Sequence, residues 1–153
     1  MRDLRTLIVD DFEAFRRFVY STLEQSIGVQ IIGQASDGLE AVQLAKKLQP
    51  DLILLDVGLP GMNGLEVARR VRAFGAARFL FISALSDPDV VQEAFNLGAI
   101  GYVHKPHAQS DLLPAIDALL STSDLLAKAW SLVRIRILKL LISTRYSCAM
   151  TTP

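Results

Sequence analysis

One cysteine, Cys148, and one tryptophan, Trp130, occur in 153 residues. A lone cysteine cannot cross-link a chain to itself, so no disulfide framework is expected and a reducing cytoplasm is the expected setting. Also missing is any run of about 18 uncharged apolar residues, which argues against a membrane-spanning helix. Residues 1–10 hold four charges and too short an apolar run to read as a secretory leader. Net charge is absent too, with 16 basic and 16 acidic side chains. That balance hides a split. Residues 1–121 carry 11 Lys plus Arg against 15 Asp plus Glu, a net of −4, whereas residues 122–153 carry five against one, a net of +4. An acidic body argues against binding nucleic acid through a broad electrostatic surface.

What is present is apolar side chain, 51% of residues against 21% charged, enough to fill a core over most of the length. Short apolar runs alternate with amphipathic ones, the pattern of a parallel sheet with helices on both faces. Strands are expected over 6–10, 30–35, 52–56, 79–83 and 101–104, with helices over about 12–26, 38–48, 64–74, 87–98 and 109–120. Ser36-Asp37, Ser86-Asp87-Pro88 and Ser110-Asp111 supply helix starts. Gln49-Pro50 and Asn96-Leu97-Gly98 supply stops. The fold class is therefore α/β, a five-stranded, doubly wound parallel sheet.

Residues 122–153 break this rhythm. Leu126, Ala129, Trp130, Val133, Ile137, Leu140 and Leu141 recur at helical spacing, with Lys128, Arg136 and Lys139 on the opposite side. The domain reading is accordingly 1–121 as the body and 122–153 as one amphipathic helix followed by a disordered polar tail. The apolar stripe calls for a partner, and a symmetric homodimer is the preferred one.

Chemistry concentrates at the carboxyl ends of the strands, where open α/β sheets place their sites. Leu7-Ile8-Val9 runs into Asp10-Asp11, and Leu52-Ile-Leu-Leu55 runs into Asp56. Three converging carboxylates repel one another, and a hard divalent cation such as Mg²⁺ would relieve that repulsion. It would also shield an attacking Asp56 carboxylate from an anionic phosphoryl donor. Phe79-Leu-Phe-Ile82 ends in Ser83-Ala84, a hydroxyl beside a small residue, and Tyr102-Val-His-Lys105-Pro106 ends in a cation. Each has an ordinary explanation alone: Asp10-Asp11 as a helix cap, Ser83 as a turn residue, Lys105 as a solvated charge. Acid, acid, hydroxyl and base at strands one, three, four and five is a less accidental set. Strand alternation aims His104 away from this pocket, and His104, His107, Met62 and Trp130 read as structural or surface residues.

These motifs resemble the receiver domain of two-component response regulators, a CheY-like, flavodoxin-like family. The resemblance is carried by Asp10-Asp11, Leu54-Leu55-Asp56-Val57 with Leu59-Pro60-Gly61-Met62-Asn63-Gly64, Ser83-Ala84, and Gly98-Ala99-Ile-Gly101-Tyr102-Val-His-Lys105-Pro106. It covers about residues 4–121, and Ala35-Ser36-Asp37-Gly38-Leu-Glu40-Ala41 is most similar to the NarL/FixJ-type subgroup. The resemblance implies Asp56 as phosphoacceptor for a histidine kinase, and Mg²⁺ held by Asp10, Asp11, Asp56 and the Gly58 carbonyl. It implies Ser83 and Lys105 as phosphoryl-binding groups, and Tyr102 as an aromatic switch that turns inward when Ser83 moves. It further implies a cis peptide bond at Lys105-Pro106 and a downstream protein partner. That subgroup usually carries a helix-turn-helix output domain of roughly 60 residues, for which residues 122–153 are too few, so no DNA binding is expected from them. The chain is expected not to be an enzyme: a hydrolase using Asp56 would want a second carboxylate two residues on, where Gly58 stands. The other expectation weighed is a phosphorylation-independent interaction module acting through the carboxyl-terminal helix.

Overall fold

The computed structural model describes residues 3–120, and the features below belong to that segment. Five strands and five α-helices alternate: β1 (Leu4–Val9), α1 (Glu13–Glu24), β2 (Val29–Ala35), α2 (Gly38–Leu48), β3 (Leu52–Leu55), α3 (Gly64–Arg72), β4 (Arg78–Ser83), α4 (Pro88–Asn96), β5 (Gly101–His104) and α5 (Ala108–Leu120). A single 3₁₀ turn, Lys105–His107, joins β5 to α5. The strands form one parallel sheet in the order β2-β1-β3-β4-β5. The order of strand addition reverses at β1, with β2 on one side and β3 on the other, so the carboxyl ends of β1 and β3 flank the crevice such sheets open.

Alternation along the central strands explains why both sheet faces are covered. In β3, Ile53 and Leu55 point into one apolar cluster and Leu52 and Leu54 into the other. The first cluster receives Ala41, Val42 and Ala45 from α2, Val67, Ala68 and Val71 from α3, and Val91 and Ala94 from α4. The second receives Val19 and Leu23 from α1, and Leu112, Ala115, Ile116 and Leu119 from α5. An uninterrupted run such as Leu52–Leu55 is the sequence signature of a strand buried on both sides, and all four residues are buried.

Local signals set the helix ends. Asp37 caps α2, its carboxylate accepting from the Glu40 amide at 2.8 Å, while Glu40 reaches back to the Ser36 amide at 3.1 Å. Asn63 caps α3 and Asp87 caps α4 in the same manner. Gln49 ends α2 in the left-handed region at φ 49°. Most boundaries differ from the sequence reading by one or two residues, as at α1 (13–24 against 12–26) and α3 (64–72 against 64–74), and two differences have a clear cause. β1 begins at Leu4, where pairing with Val29 extends it, and α5 begins at Ala108, continuing the 3₁₀ turn, so Ser110 lies inside the helix rather than opening it. The amphipathic helix and tail expected over 122–153, with the homodimer expected from them, lie outside the described residues. Among the described residues no helix is long and apolar enough to cross a membrane.

Candidate functional site

The carboxyl edge of the sheet gathers four polar side chains from four strand ends. Asp10, Asp56 and Ser83 are the buried polar residues there, at 3%, 5% and 1% exposure. Lys105, brought over by the 3₁₀ turn after β5, places its Nζ 2.6 Å from Asp10 Oδ2 and 2.9 Å from Asp56 Oδ2. The ammonium thus bridges two carboxylates that would otherwise repel. The expected cis bond at Lys105-Pro106 is corrected: no peptide bond among the described residues is cis. Coiling of Lys105–His107 into the 3₁₀ turn accompanies a lysine that still reaches the pocket.

Backbone amides fix the acids. Asp10 Oδ1 accepts from the Phe12 amide at 2.8 Å, and the Asp10 carbonyl accepts from the Arg16 guanidinium at 2.6 Å. The Asp56 amide donates to the Val9 carbonyl at 3.0 Å, tying the end of β3 to that of β1, and Asp56 Oδ1 accepts from the Gly58 amide at 3.1 Å. Gly64 explains how the loop after Asp56 folds back so closely. Its amide donates to the Val57 carbonyl at 2.9 Å, and a Cβ at this position would overlap the Asp56 carbonyl oxygen.

Burial pushes the Asp10 carboxyl above its ordinary range, opposed by hydrogen bonds from Lys105 and the Phe12 amide and reinforced by the charge of Asp56. For Lys105, burial alone would lower the ammonium's pKa, but the bonds to Asp10 and Asp56 outweigh it and the net direction is upward. Both directions favour protons in this pocket, the expected result of crowding carboxylates around one cation. Asp11 is exposed at its rim, and one oxygen from each of Asp10, Asp11 and Asp56 lies within 4.8 Å of the others. Hard oxygen donors at that separation fit a divalent cation such as Mg²⁺.

The β4–α4 loop is held from β5. The Tyr102 ring is 4% exposed and lies 6.1 Å from Phe81, nearly parallel to it. Its hydroxyl donates to the Leu85 carbonyl at 2.5 Å. Burial raises the Tyr102 pKa to about 12, against a lowering hydrogen bond from Ser83. The Ser83 hydroxyl accepts from the Leu85 amide at 3.3 Å. His104 stands two residues after Tyr102 and therefore on the same strand face. Its Nε2 lies 3.1 Å from the Ala84 carbonyl oxygen, and its ring lies 5.7 Å from that of His107. Two successive loop carbonyls are thus gripped by two side chains of one strand. Alternation gives His104's direction, but a bond to a loop carbonyl cannot be read from spacing.

Phe15 carried no sequence signal of a role. It lies in α1, with the Lys105 ammonium 4.5 Å above its ring centroid. Its place one helical turn past Asp10-Asp11 is the only hint in the sequence. An open cavity of about 360 Å³ lies at the opposite, amino edge of the sheet among Asp3, Gln49, Pro50, Asp51 and Arg78.

Comparison with known proteins agrees with this architecture. Residues 6–117 match the response regulator receiver domain. The chain is 38% identical over 117 residues to the transcriptional regulatory protein PdtaR of Mycobacterium tuberculosis, covering 76% of this chain and 57% of PdtaR. It spans little more than half the length of the curated relatives it matches. Among solved structures, the signal receiver domain of NarL from Mycobacterium tuberculosis is 39% identical, covering 69% of this chain and 86% of that one, with a TM-score of 0.66. A LuxR-family response regulator from Aurantimonas is 31% identical with a TM-score of 0.72, covering 87% and 99%. The doubly wound sheet, the acidic strand ends and these matches have one common explanation: this chain belongs to the response regulator receiver domain family of two-component signalling proteins.

Proposed function

We propose that this chain is a phosphorylation-dependent switch whose phosphoacceptor is Asp56 and whose donor is a histidine kinase. The observation that carries this reading is the Lys105 ammonium bridging Asp56 Oδ2 and Asp10 Oδ2 in a pocket where both acids are buried. A carboxylate held by a cation on one oxygen and by the Gly58 amide on the other is fixed in direction, as a nucleophile must be.

An Asp56 oxygen attacks the phosphorus of the donor phosphohistidine. The P–O bond forms, the P–N bond breaks, and the imidazole leaves with the bonding electron pair. A divalent cation such as Mg²⁺, held by Asp10, Asp11, Asp56 and the Gly58 carbonyl, would supply neutralisation of the phosphoryl oxygens. The Lys105 ammonium gives up a carboxylate contact and pairs with a phosphoryl oxygen. The Ser83 hydroxyl turns to donate to another. That turn breaks its contact with the Leu85 amide and links the phosphoryl group to the loop that Tyr102 and His104 hold. Tyr102 is already inward here, so the change redistributes loop and ring positions around it, a population shift that alters the α4–β5–α5 surface for a protein partner.

The test is intact mass after incubation with acetyl phosphate and Mg²⁺. One added phosphoryl group per chain is expected, with none on Asp56→Asn. An unmodified chain at saturating donor would overturn the reading.

A further inference from the structure

Lys105 has a partner besides its two carboxylates. Its Nζ lies 4.5 Å from the centroid of the Phe15 ring, within the range where an ammonium is attracted to an aromatic face. The ring is half-buried and braced by Phe18, whose ring lies 5.6 Å away at 42°. Its placement is tied to that of Asp10. The Phe12 amide donates to Asp10 Oδ1, and the Phe15 amide donates at 3.1 Å to the Phe12 carbonyl, so one turn of chain carries both acid and ring.

We propose that Phe15 is a positioning residue for phosphoryl transfer, its ring face holding the Lys105 ammonium over the acid pocket while the lysine exchanges carboxylate contacts for phosphoryl contacts. This rests on Asp56 being the phosphoacceptor. A lysine is a point charge on a flexible four-carbon stem, and its contact with Asp56 Oδ2 must be exchanged for a phosphoryl oxygen when that carboxylate is esterified, while Asp10 and the ring face stay in place. A hydrogen-bond acceptor at position 15 would hold the ammonium at one point and resist its shift. A ring face attracts over its whole area, so Nζ can slide between oxygens and remain held. The ring also covers one side of a side chain that is only 17% exposed, limiting the water that could compete for it.

The experiment uses the 153-residue chain with 4-fluoro-, 3,5-difluoro- or pentafluorophenylalanine at position 15, alongside Phe15→Tyr and Phe15→Leu. Fluorination drains the ring face of negative charge with little change of shape, so packing alone predicts a flat series. The rate of phosphoryl uptake from acetyl phosphate with Mg²⁺ should fall stepwise with fluorine count, reaching about threefold to tenfold for the pentafluoro ring. Phe15→Tyr should stay within about twofold, with melting temperatures level across the fluorinated set. Independently of any phosphodonor, the Lys105 ε-methylene proton resonances should be shifted upfield by the ring and return to ordinary values in Phe15→Leu. Should Phe15→Leu fail to fold, the fluorinated chains, which keep the ring, decide. Uptake that ignores fluorination, or unshifted Lys105 resonances, would overturn the role of Phe15 alone. Absence of any adduct on the unsubstituted chain would instead overturn the Asp56 reading.

Discussion

Two aspartates flank the same four-residue strand, and they do different work. Asp51 precedes β3 at the amino edge of the sheet. Its Oδ2 accepts from the Arg5 amide at 2.9 Å, and its own amide donates to the Arg5 carbonyl at 2.8 Å. Asp56 follows β3 at the carboxyl edge, facing another acid and a lysine. Each edge also has its cation. Arg5 spends its guanidinium on the Leu48 and Gln49 carbonyls at 2.7 and 2.9 Å, satisfying acceptors that the end of α2 leaves open. Lys105 holds two carboxylates together. At the amino edge these contacts run from charge to main chain and lower the energy of one arrangement. The carboxyl edge pairs charge with charge, which costs stability when any member is removed and leaves groups able to take new partners.

The largest contrast should come from the two acids themselves. Asp56→Asn is expected to abolish phosphoryl incorporation, whereas Asp51→Ala keeps it within about twofold and lowers unfolding free energy by about 2 kcal/mol through loss of the charge-assisted bond to the Arg5 amide. Intact mass and urea melts check both, and loss of uptake in a folded Asp51→Ala would collapse the distinction. Gly64→Ala should cost about 3 kcal/mol, because its methyl group meets the Asp56 carbonyl and the loop must give way. A substitution tolerated in denaturant melts would show that the tight return after Asp56 is not required.

Removing the cations sharpens the contrast further. In buffer without divalent cations, Lys105→Met should cost about 2 kcal/mol by leaving two buried carboxylates face to face, and Arg5→Met about 1 kcal/mol for uncapped carbonyls. Added Mg²⁺ should restore most of the first loss and none of the second. The last effect, absent near neutral pH, concerns alkaline pH. Tyr102 has its pKa raised to about 12 in the folded chain from an ordinary value of 10.0. Below pH 10 its phenol is protonated in both folded and unfolded chains, so the stability it confers is fully present. Between pH 10 and 12 the unfolded chain releases the proton first, and that stability drains away, about 3 kcal/mol at the limit. Lys105, also raised, loses its own contribution as pH climbs above about 10.5 through its folded value. Tyr102→Phe should therefore flatten the pH 10–12 decline in part, with the remainder belonging to Lys105. An unchanged slope would mean that Tyr102 ionises as freely folded as unfolded.

Much of the fold was legible because burial on both sheet faces leaves continuous apolar runs such as Leu52–Leu55, and because Asp37 and Asp87 announce helices in their own side chains, whereas the Asn63 cap of α3 emerged only from the structure. The gathering of Asp10, Asp11, Asp56 and Lys105 was legible from strand ends alone. What stayed hidden depends on contacts between distant segments. The start of β1 is set by pairing with Val29. The turn after Lys105 depends on how β5 hands over to α5, which is why the expected Lys105-Pro106 geometry was not found. The grip of His104 on Ala84 and the seat of Lys105 on Phe15 each join residues whose own neighbourhoods carry no sign of the other.

The separation along the chain of the groups around Asp56 has a consequence for biosynthesis. Lys105 lies 49 residues after Asp56, on the far side of the last strand. During translation both acids emerge well before the cation that reconciles them, and domains settle as units once their final elements arrive. A nascent chain ending before β5 would have to bury two like charges with no counter-charge of its own. That repulsion weighs against closing this edge of the sheet before Lys105 arrives.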